Sequence, residues 1–229
     1  METNRWEERY RTHERPEEDF ATAPTPLVAE TASRLAPDRA LDLACGTGRN
    51  AIWLAQNGWK VTAVDSSPTA IEILIQRATE SGIQATSTSQ ATSPFPANVA
   101  ASFSRAAFPR EQDSGPNSAA TKLDARVADL ENNEFRIEPN TWDLILICYY
   151  LQRDLFESAK LGLAPNGIIL AIAHMTEPNE QPTKHRLKPG ELESYFIGWD
   201  ILHHYEGRPN DSSHRRSVAE IVARRNARS

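Results

Sequence analysis

One stretch predicts the fold of this chain: Arg39–Asp65, with the sequence RALDLACGTGRNAIWLAQNGWKVTAVD. Its first part, Ala40–Ala44, is apolar apart from Asp42 and is short enough for a buried strand. The turn Cys45–Gly48 follows, where glycine permits a positive φ and lets a ligand approach the backbone. Apolar residues then recur at helical spacing, and a β-branched strand ends on Asp65. The stretch therefore predicts a βαβ unit with a ligand-binding glycine loop.

The residues of this loop also indicate what it binds. Gly46, Gly48 and Ala51 have the spacing G-x-G-x-x-A, and Asp65 lies near the distance expected for an acidic ribose ligand. Asp42 stands four residues before Gly46, where a carboxylate repels a pyrophosphate but suits an ammonium or a sulfonium. S-adenosylmethionine carries both cationic groups, and its ribose diol would donate charge-assisted hydrogen bonds to Asp65.

The segment LDLACGTGRN resembles the first motif of class I S-adenosylmethionine-dependent methyltransferases. Within them, ALDLACGTGRNAIWLA is most similar to the branch of tellurite-resistance methyltransferases and related small-molecule enzymes. The resemblance implies a Rossmann-like α/β fold, with a seven-stranded, mostly parallel sheet, one antiparallel edge strand and helices on both faces. It implies one methyltransferase domain over residues 1–229 and S-adenosylmethionine as cofactor. The core residues implied to contact the cofactor are Asp42, Ala44, Cys45, Gly46, Gly48, Asn50, Asp65, Ser66, Asp129, Leu130 and Cys148.

The N-terminal residues 1–26 are predicted to form a segment with its own role. Trp6 and Tyr10 are four residues apart and fall on one face of a predicted helix. WEERY resembles a W-x-x-x-Y segment that precedes the core in the same branch, which implies a lid with Trp6 and Tyr10 against the cofactor. The alternative is a surface helix that uses its two aromatic side chains to attach itself to the body of the protein.

The middle of the chain changes character. Residues 84–121 are rich in Ala, Ser, Thr, Pro and Asn without periodicity, so they are predicted to be a disordered insertion that cannot offset its ordering entropy. Order is predicted to resume at Asp124, with a short strand that ends at Asp129. In the resembling family an acidic residue at this strand end accepts a hydrogen bond from the adenine amino group. The alternative for Asp129 is a solvated strand end.

Candidate acceptor residues follow the later strands, because ligands bind beyond the carboxyl ends of strands in an open α/β sheet. His174 is one of them, and Tyr149 and Tyr150 are two more, whose rings would stabilise a sulfonium or pack at the rim. His214 and Arg215 precede the last strand, in a tail that resembles the region where tellurite-type enzymes hold a small anion. The resemblance implies that His214 and Arg215 are catalytic. The alternative is a solvated basic turn.

Composition limits the partners. The chain has 229 residues and a formal net charge of −6, which argues against generic binding to nucleic acid or an anionic membrane. Its two cysteines have no C-x-x-C spacing, so we expect a reducing cytoplasm and no metal site. A charged N-terminus predicts no signal peptide, and no apolar run approaches the ~20 residues of a membrane span. The predicted partner is a small-molecule acceptor, and the predicted state is a monomer or homodimer.

Three functions remain open from the sequence. The first is methyl transfer to a small nucleophile, either a chalcogen oxyanion such as tellurite or selenite, or a thiol. The second is a nicotinamide-dependent oxidoreductase, against which Asp42 and the lack of a Tyr-x-x-x-Lys set argue. The third is a non-catalytic protein that binds S-adenosylmethionine.

Overall fold

The structure is a computed structural model that describes residues 3–14, 16–89 and 122–226. The strands within these ranges are β1 Arg39–Leu43, β2 Lys60–Asp65, β3 Gln84–Ser89, β4 Lys122–Val127, β5 Trp142–Cys148, β6 Leu163–His174, β7 Asp200–Gly207 and β8 Val218–Arg224. The helices are α1 Thr3–Thr12, α2 Pro16–Asp19, α3 Pro26–Ala32, α4 Arg49–Gln56, α5 Pro68–Glu80, α6 Leu155–Gly162 and α7 Glu191–Ser194.

All of these strands join one sheet, in the order β3-β4-β2-β1-β5-β6-β8-β7. Strands β1 to β6 pair in parallel, whereas β8 runs antiparallel to both β6 and β7. The predicted Rossmann-like, mostly parallel sheet is therefore confirmed. The number of strands in the described ranges is eight and not seven, and the reversed strand β8 lies inside the sheet, next to the edge strand β7.

The additional strand is β3, at the other edge of the sheet. It pairs with β4 from Gln84↔Lys122 to Ser89↔Val127, so the predicted disordered insertion of residues 84–121 is wrong for residues 84–89. Their sequence QATSTS is polar, but an edge strand needs one paired neighbour only, and threonine favours extended structure. The rest of the predicted insertion, residues 90–121, lies outside the described residues.

Helices cover both faces of the sheet, as predicted. On one face α6 and α7 pack around Phe156 and Phe196, and on the other α3, α4 and α5 pack around Trp59 and Leu74. Each of these four side chains is almost fully buried, which is where apolar burial stabilises the fold. Within the described ranges, no helix is long and apolar enough to cross a membrane.

The order of the strands indicates at which edge of the sheet a ligand is expected to bind. Strand β1 pairs with β2 on one side and with β5 on the other, so the direction of winding reverses at β1. In open α/β sheets ligands bind beyond the carboxyl ends of the strands at this switch point. The loop that begins at Ala44 and the residues after Asp65 and Cys148 all lie at that edge.

Candidate functional site

The glycine loop follows β1 at the switch point. Gly46 and Gly48 have positive φ angles of 54° and 83°, which glycine adopts without strain. A Cβ on Gly46 would lie 2.7 Å from the hydroxyl oxygen of Tyr10, and one on Gly48 would lie 2.4 Å from Leu74. The first glycine therefore allows a close approach over the loop, and the second allows α5 to pack against α4.

Asp65 closes the loop from the end of β2. Its Oδ2 accepts a hydrogen bond from the Gly46 N–H at 2.8 Å, and its Oδ1 accepts one from the Ser67 N–H at 2.9 Å. Burial raises the pKa of Asp65, while the backbone hydrogen bonds from Ser67, Gly46 and Ser66 oppose that shift. Each carboxylate oxygen keeps acceptor capacity beyond these bonds. The carboxylate is thus held rigidly at the position predicted for a ribose ligand.

Asp42, on β1, is the second buried carboxylate. It is 2% exposed, and its Oδ2 has no hydrogen-bond partner among the described residues. Burial raises its pKa to about 7; Arg49 acts to lower this pKa and Asp65 to raise it. A buried, unpartnered carboxylate oxygen is costly for the protein alone. A cationic ligand group at the glycine loop would supply the missing partner.

The N-terminal segment, described from residue 3, lies against this loop. Tyr10 is 7% exposed, and its hydroxyl group lies over Gly46. Glu7 accepts hydrogen bonds from the Ser67 hydroxyl at 2.5 Å and the Thr69 hydroxyl at 2.6 Å, so it fastens α1 to the start of α5. Trp6 is only partly buried and lies under the guanidinium of Arg9 at 4.8 Å. Of the two predicted aromatic residues, Tyr10 reaches the loop.

The end of the same segment is also tied to the loop. The Thr47 hydroxyl donates to the Asp19 carbonyl at 2.7 Å. Arg77 on α5 donates to the Thr47 hydroxyl at 2.7 Å and to the Phe20 carbonyl at 3.0 Å. Arg9 joins the two ends of the segment through Asp19, at 2.5 Å. The segment thus contacts the glycine loop at two points, Gly46 and Thr47.

Several other predicted cofactor residues lie at the same edge. Ala44 has a positive φ of 55°, and the Cys45 thiol donates to the Gly46 carbonyl. Burial raises the pKa of both thiols, Cys45 and Cys148, well above the ordinary value, so both are protonated at neutral pH. Ser66 is partly buried beside Asp65.

Asn50 and Asp129 have contacts that the sequence did not predict. Asn50 is 5% exposed, and its Oδ1 accepts a hydrogen bond from the Thr25 N–H at 2.8 Å. This bond attaches the start of α3 to α4. Asp129 accepts hydrogen bonds from the backbone N–H groups of Glu131 and Asn132, and the next residue after Asp129, Leu130, is 6% exposed. The Asp129 carboxylate therefore orders the turn after β4, where the adenine contact was predicted.

A second group of side chains lies at the same edge, beyond β5 and β6. We call it the histidine cluster. Its members are Arg49, Tyr149, His174, Asp211, Ser213 and His214. The rings of Tyr149 and His214 stack with centroids 3.5 Å apart, and His174 lies 5.5 Å from Tyr149 and 5.4 Å from His214. The three rings form one aromatic wall.

Asp211 links the polar members of the cluster. It accepts hydrogen bonds from Arg49 at 2.7 Å, from the Tyr149 hydroxyl at 3.0 Å and from the Ser213 hydroxyl at 2.5 Å. Burial acts to raise the pKa of Asp211, but the bonds from Ser213 and Arg49 outweigh it and hold the pKa at about 2. Asp211 is therefore a carboxylate at neutral pH, and it compensates the charge of Arg49.

The two histidines of the cluster are neutral at pH 7. Burial lowers the pKa of His174 to about 4, and His214 and Arg186 act in the same direction. Burial also lowers the pKa of His214 to about 4, although Asp211 opposes the shift. In both rings Nδ1 is buried and has no hydrogen-bond partner among the described residues.

The structure places the two predicted catalytic residues in different surroundings. His214 belongs to the cluster, but the Arg215 side chain is 84% exposed and pairs with Glu17 at 3.2 Å. The arginine in the cluster is Arg49, which sequence analysis missed. Its position directly after Gly48, at the start of α4, was the signal that could have identified it. Tyr150 points elsewhere and donates to Gln152.

Comparisons with known proteins match part of the sequence. A family profile described as a methyltransferase domain matches residues 40–112. Hemagglutinin 1 of Eikenella corrodens is 41% identical over 51 residues, which is 22% of this chain and 17% of that protein. Ribosomal RNA small subunit methyltransferase C of Alcanivorax borkumensis is 35% identical over 48 residues, 21% of this chain and 15% of that protein. The chain therefore spans less than a fifth of either relative.

Solved structures match nearly the whole chain. TehB from Haemophilus influenzae has a TM-score of 0.63 at 18% identity, over 92% of this chain and 67% of that one. The Burkholderia thailandensis 1,6-didemethyltoxoflavin-N1-methyltransferase, solved with bound 1,6-didemethyltoxoflavin and S-adenosylhomocysteine, has a TM-score of 0.61 at 14% identity, over 98% of this chain and 87% of that one. A putative S-adenosylmethionine-dependent methyltransferase from Listeria monocytogenes has a TM-score of 0.53 at 15% identity, over 87% of this chain and 98% of that one. At these identities the likeness establishes the fold.

Proposed function

We propose that this chain, which contains a class I S-adenosylmethionine-dependent methyltransferase domain, methylates a small molecule held at the histidine cluster. The matched domain and the shared fold support the predicted class of enzyme and its cofactor, S-adenosylmethionine. The observation that carries the proposal is the pair of buried carboxylates, Asp42 and Asp65, at the switch point of the sheet. Two buried carboxylates beside the glycine loop suit a cationic ligand.

The residues of the loop fit the cofactor. The unpartnered Oδ2 of Asp42 would take the cofactor's ammonium group, and Asp65 would accept hydrogen bonds from the ribose hydroxyls. Because Gly46 has no Cβ, the Tyr10 hydroxyl group can approach the loop closely and would lie near a bound cofactor. Asp129 and Leu130 would line the adenine side. The Asp42 carboxylate, in contrast, would repel the pyrophosphate of a nicotinamide cofactor.

The N-terminal segment is proposed to act as a lid. Its support is the set of bonds that fasten it to the loop: Glu7 to Ser67 and Thr69, and Thr47 to Asp19. When bound, the cofactor supplies an electrophilic methyl group, so the chain needs to position a nucleophile and exclude water. A closed segment over Gly46 performs the second task.

The acceptor is proposed to be a small molecule. Its support is the compact cluster of three rings and one ion pair, which lies beside the loop. Arg9 and Glu18 of the N-terminal segment are near enough to act on the pKa of His214. One neighbour in fold is named a 1,6-didemethyltoxoflavin-N1-methyltransferase, an enzyme that acts on a small molecule. The sequence predicted a chalcogen oxyanion or a thiol. We propose the cytoplasm as the place of action, as the two unpaired cysteines suggested.

Calorimetry with S-adenosylmethionine, S-adenosylhomocysteine and NAD tests the cofactor. We expect binding of the first two and none of NAD, whereas micromolar NAD binding without a response to the methyl donor would contradict the proposal. Labelled methyl donor, incubated with a panel of thiols, selenite and tellurite, then tests catalysis. Cofactor binding without any methylated product would favour a non-catalytic binding protein.

A further inference from the structure

On the basis of the proposed cofactor site, we infer that Tyr150 and Gln152 are positioning residues that hold the turn after β4 and thereby give the site its preference for an adenine base. This turn consists of residues 129–134, and we call it the β4 turn. The sequence predicted Tyr150 as a contact of the sulfonium or a packing residue at the rim, and it did not single out Gln152.

The backbone directly after β5 sends two adjacent tyrosines to different surroundings. Tyr149 has a positive φ of 61°, which residues other than glycine rarely adopt, and its N–H donates to the Ile172 carbonyl at 2.6 Å. The Tyr149 hydroxyl bonds to Asp211 in the histidine cluster, whereas Tyr150 packs against the apolar core that contains Leu130. Strained backbone of this kind is concentrated at functional sites. The unusual conformation therefore separates the two rings.

Gln152 connects Tyr150 to the β4 turn. The Tyr150 hydroxyl donates to Oε1 of Gln152 at 2.8 Å, and Nε2 of Gln152 donates to the Leu130 carbonyl at 3.3 Å. The first bond orients the second: because Oε1 accepts from the phenol, the amide nitrogen faces the carbonyl, and a flipped amide would set two oxygens against each other.

This connection crosses the edge where the ligand is expected. Strands β4 and β5 are not neighbours in the sheet, because β2 and β1 lie between them. Gln152 follows β5, and the carbonyl that it contacts belongs to the β4 turn. The two side chains therefore link the two sides of the cofactor site beyond the carboxyl ends of the strands.

The β4 turn carries the residues proposed for adenine. Its shape is set from within: Asp129 accepts hydrogen bonds from the N–H groups of Glu131 at 2.9 Å and Asn132 at 3.3 Å, and the Asp129 N–H donates to the Glu134 carboxylate at 2.9 Å. Gln152 holds this preformed turn at Leu130, the residue next to Asp129. A shift of the Leu130 carbonyl would therefore move the Asp129 carboxylate relative to a bound base.

Tyr150 lies among the carboxylates of the nucleoside site. Burial raises the pKa of its phenol well above the ordinary value, and Glu131, Asp129, Asp65 and Asp154 act in the same direction. The hydroxyl is therefore protonated at neutral pH and remains a donor to Gln152. Asp65 and Asp129 are the residues proposed for the ribose and the base, so Tyr150 is near both.

A carboxylate held in place can distinguish adenine from hypoxanthine. These bases differ at position 6 and in the proton that hypoxanthine carries on N1. The 6-amino group of adenine donates hydrogen bonds, whereas the 6-oxo group of hypoxanthine only accepts them, so the Asp129 carboxylate would attract the first and repel the second. Repulsion selects only if the carboxylate cannot move away, which is the task assigned to Tyr150 and Gln152.

Calorimetry with S-adenosylhomocysteine and S-inosylhomocysteine tests the assignment. We expect the parent chain to prefer S-adenosylhomocysteine by about tenfold or more. Gln152→Leu removes the amide and keeps its bulk, and it should reduce this preference at least ~threefold, chiefly by weakening the binding of S-adenosylhomocysteine. Tyr150→Phe keeps the ring but leaves the amide without its orienting donor, so it should reduce the preference less.

Arg153→Met is the matched control. Arg153 is adjacent to Gln152 in the chain, but it donates to the Glu191 carboxylate and to the carbonyl groups of Lys184 and Arg186, in the loop before α7. Its replacement should lower Tm, measured by differential scanning fluorimetry, and leave the preference for adenine unchanged. An equal loss of preference in Arg153→Met and Gln152→Leu would reduce the effect to general loosening and overturn the assignment.

The same titrations separate this inference from the proposed function. No binding of S-adenosylhomocysteine to the parent chain would contradict the proposed function itself. Binding without a preference for adenine, or a preference that both variants keep in full, would overturn only the assignment of Tyr150 and Gln152. Should Gln152→Leu fail to fold, as circular dichroism would show, the preference of Tyr150→Phe decides.

Discussion

The glycine loop and the histidine cluster lie at one edge of the sheet but differ in how they balance charge. Asp42 and Asp65 are buried carboxylates without a full cationic partner, and one oxygen of Asp42 has no partner among the described residues. In the cluster, Arg49 is matched by Asp211, and both histidines are neutral. Buried carboxylates without a cationic partner, as at the glycine loop, favour a cationic ligand. A site whose charges already cancel, as in the histidine cluster, favours a neutral ligand. The following predictions test that difference.

The largest effect is expected from Arg49→Met. It would leave Asp211 buried without its cation, which costs about 3–5 kcal/mol, or roughly 10 °C in Tm for a chain of this length. Differential scanning fluorimetry measures the change. Arg34→Met is the control, since Arg34 forms an exposed pair with Glu30 and should shift Tm little. The double variant Arg49→Met/Asp211→Leu should recover most of the lost Tm. Equal shifts in Tm for Arg49→Met and Arg34→Met would show that Arg49 and Asp211 do not form a stabilising buried ion pair.

The second largest effect is expected at the glycine loop, where the buried carboxylates lack a full cationic partner. Asp65→Ala removes an acceptor for the ribose hydroxyls, and charge-assisted hydrogen bonds are each worth about 1.5–3 kcal/mol. Calorimetry should show S-adenosylhomocysteine binding weakened at least ~tenfold. Asp200→Ala, on the edge strand and paired with Arg224 at the surface, should leave the affinity unchanged. Unaltered affinity in Asp65→Ala would remove Asp65 from the cofactor site.

A smaller effect comes from the titration of Asp42. Burial raises its pKa to about 7 in the ligand-free protein, with Arg49 and Asp65 acting on it in opposite directions. Below that pKa the carboxyl group is neutral and attracts the cofactor's ammonium less, so affinity should fall as the pH drops from 8 to 6, by up to about tenfold. Asp42→Asn should bind more weakly at pH 8 and show a flatter profile. An equally steep profile in this variant would assign the titration to another group.

The smallest effect is expected from Arg215→Ala. Its side chain is 84% exposed and its ion pair with Glu17 is worth less than about 1 kcal/mol. Steady-state turnover of the best acceptor should therefore stay within about twofold of the parent chain, with His214→Ala as the comparison that loses activity. A loss in Arg215→Ala as large as in His214→Ala would restore the role that the resemblance implied.

The sequence by itself predicted the glycine loop and the ligand now proposed for it. Asp42, Gly46, Gly48 and Asp65 lie within one short βαβ unit, where strand, turn and helix signals are local and their spacing is dictated by backbone geometry. The structure places all four at the switch point, as predicted. The mostly parallel sheet and the helices on both faces were implied by the resemblance of this unit to class I methyltransferases.

Only the tertiary structure decided the edge strand β3 and the histidine cluster. The segment Gln84–Ser89 has a polar composition, and what makes it a strand is its pairing with Lys122–Val127, across residues 90–121. Arg49, His174 and Asp211 come from distant parts of the chain and meet because the sheet aligns their elements at one edge. Burial then sets their charges: a carboxylate and a guanidinium cancel and two imidazoles stay neutral, which no local pattern of residues encodes.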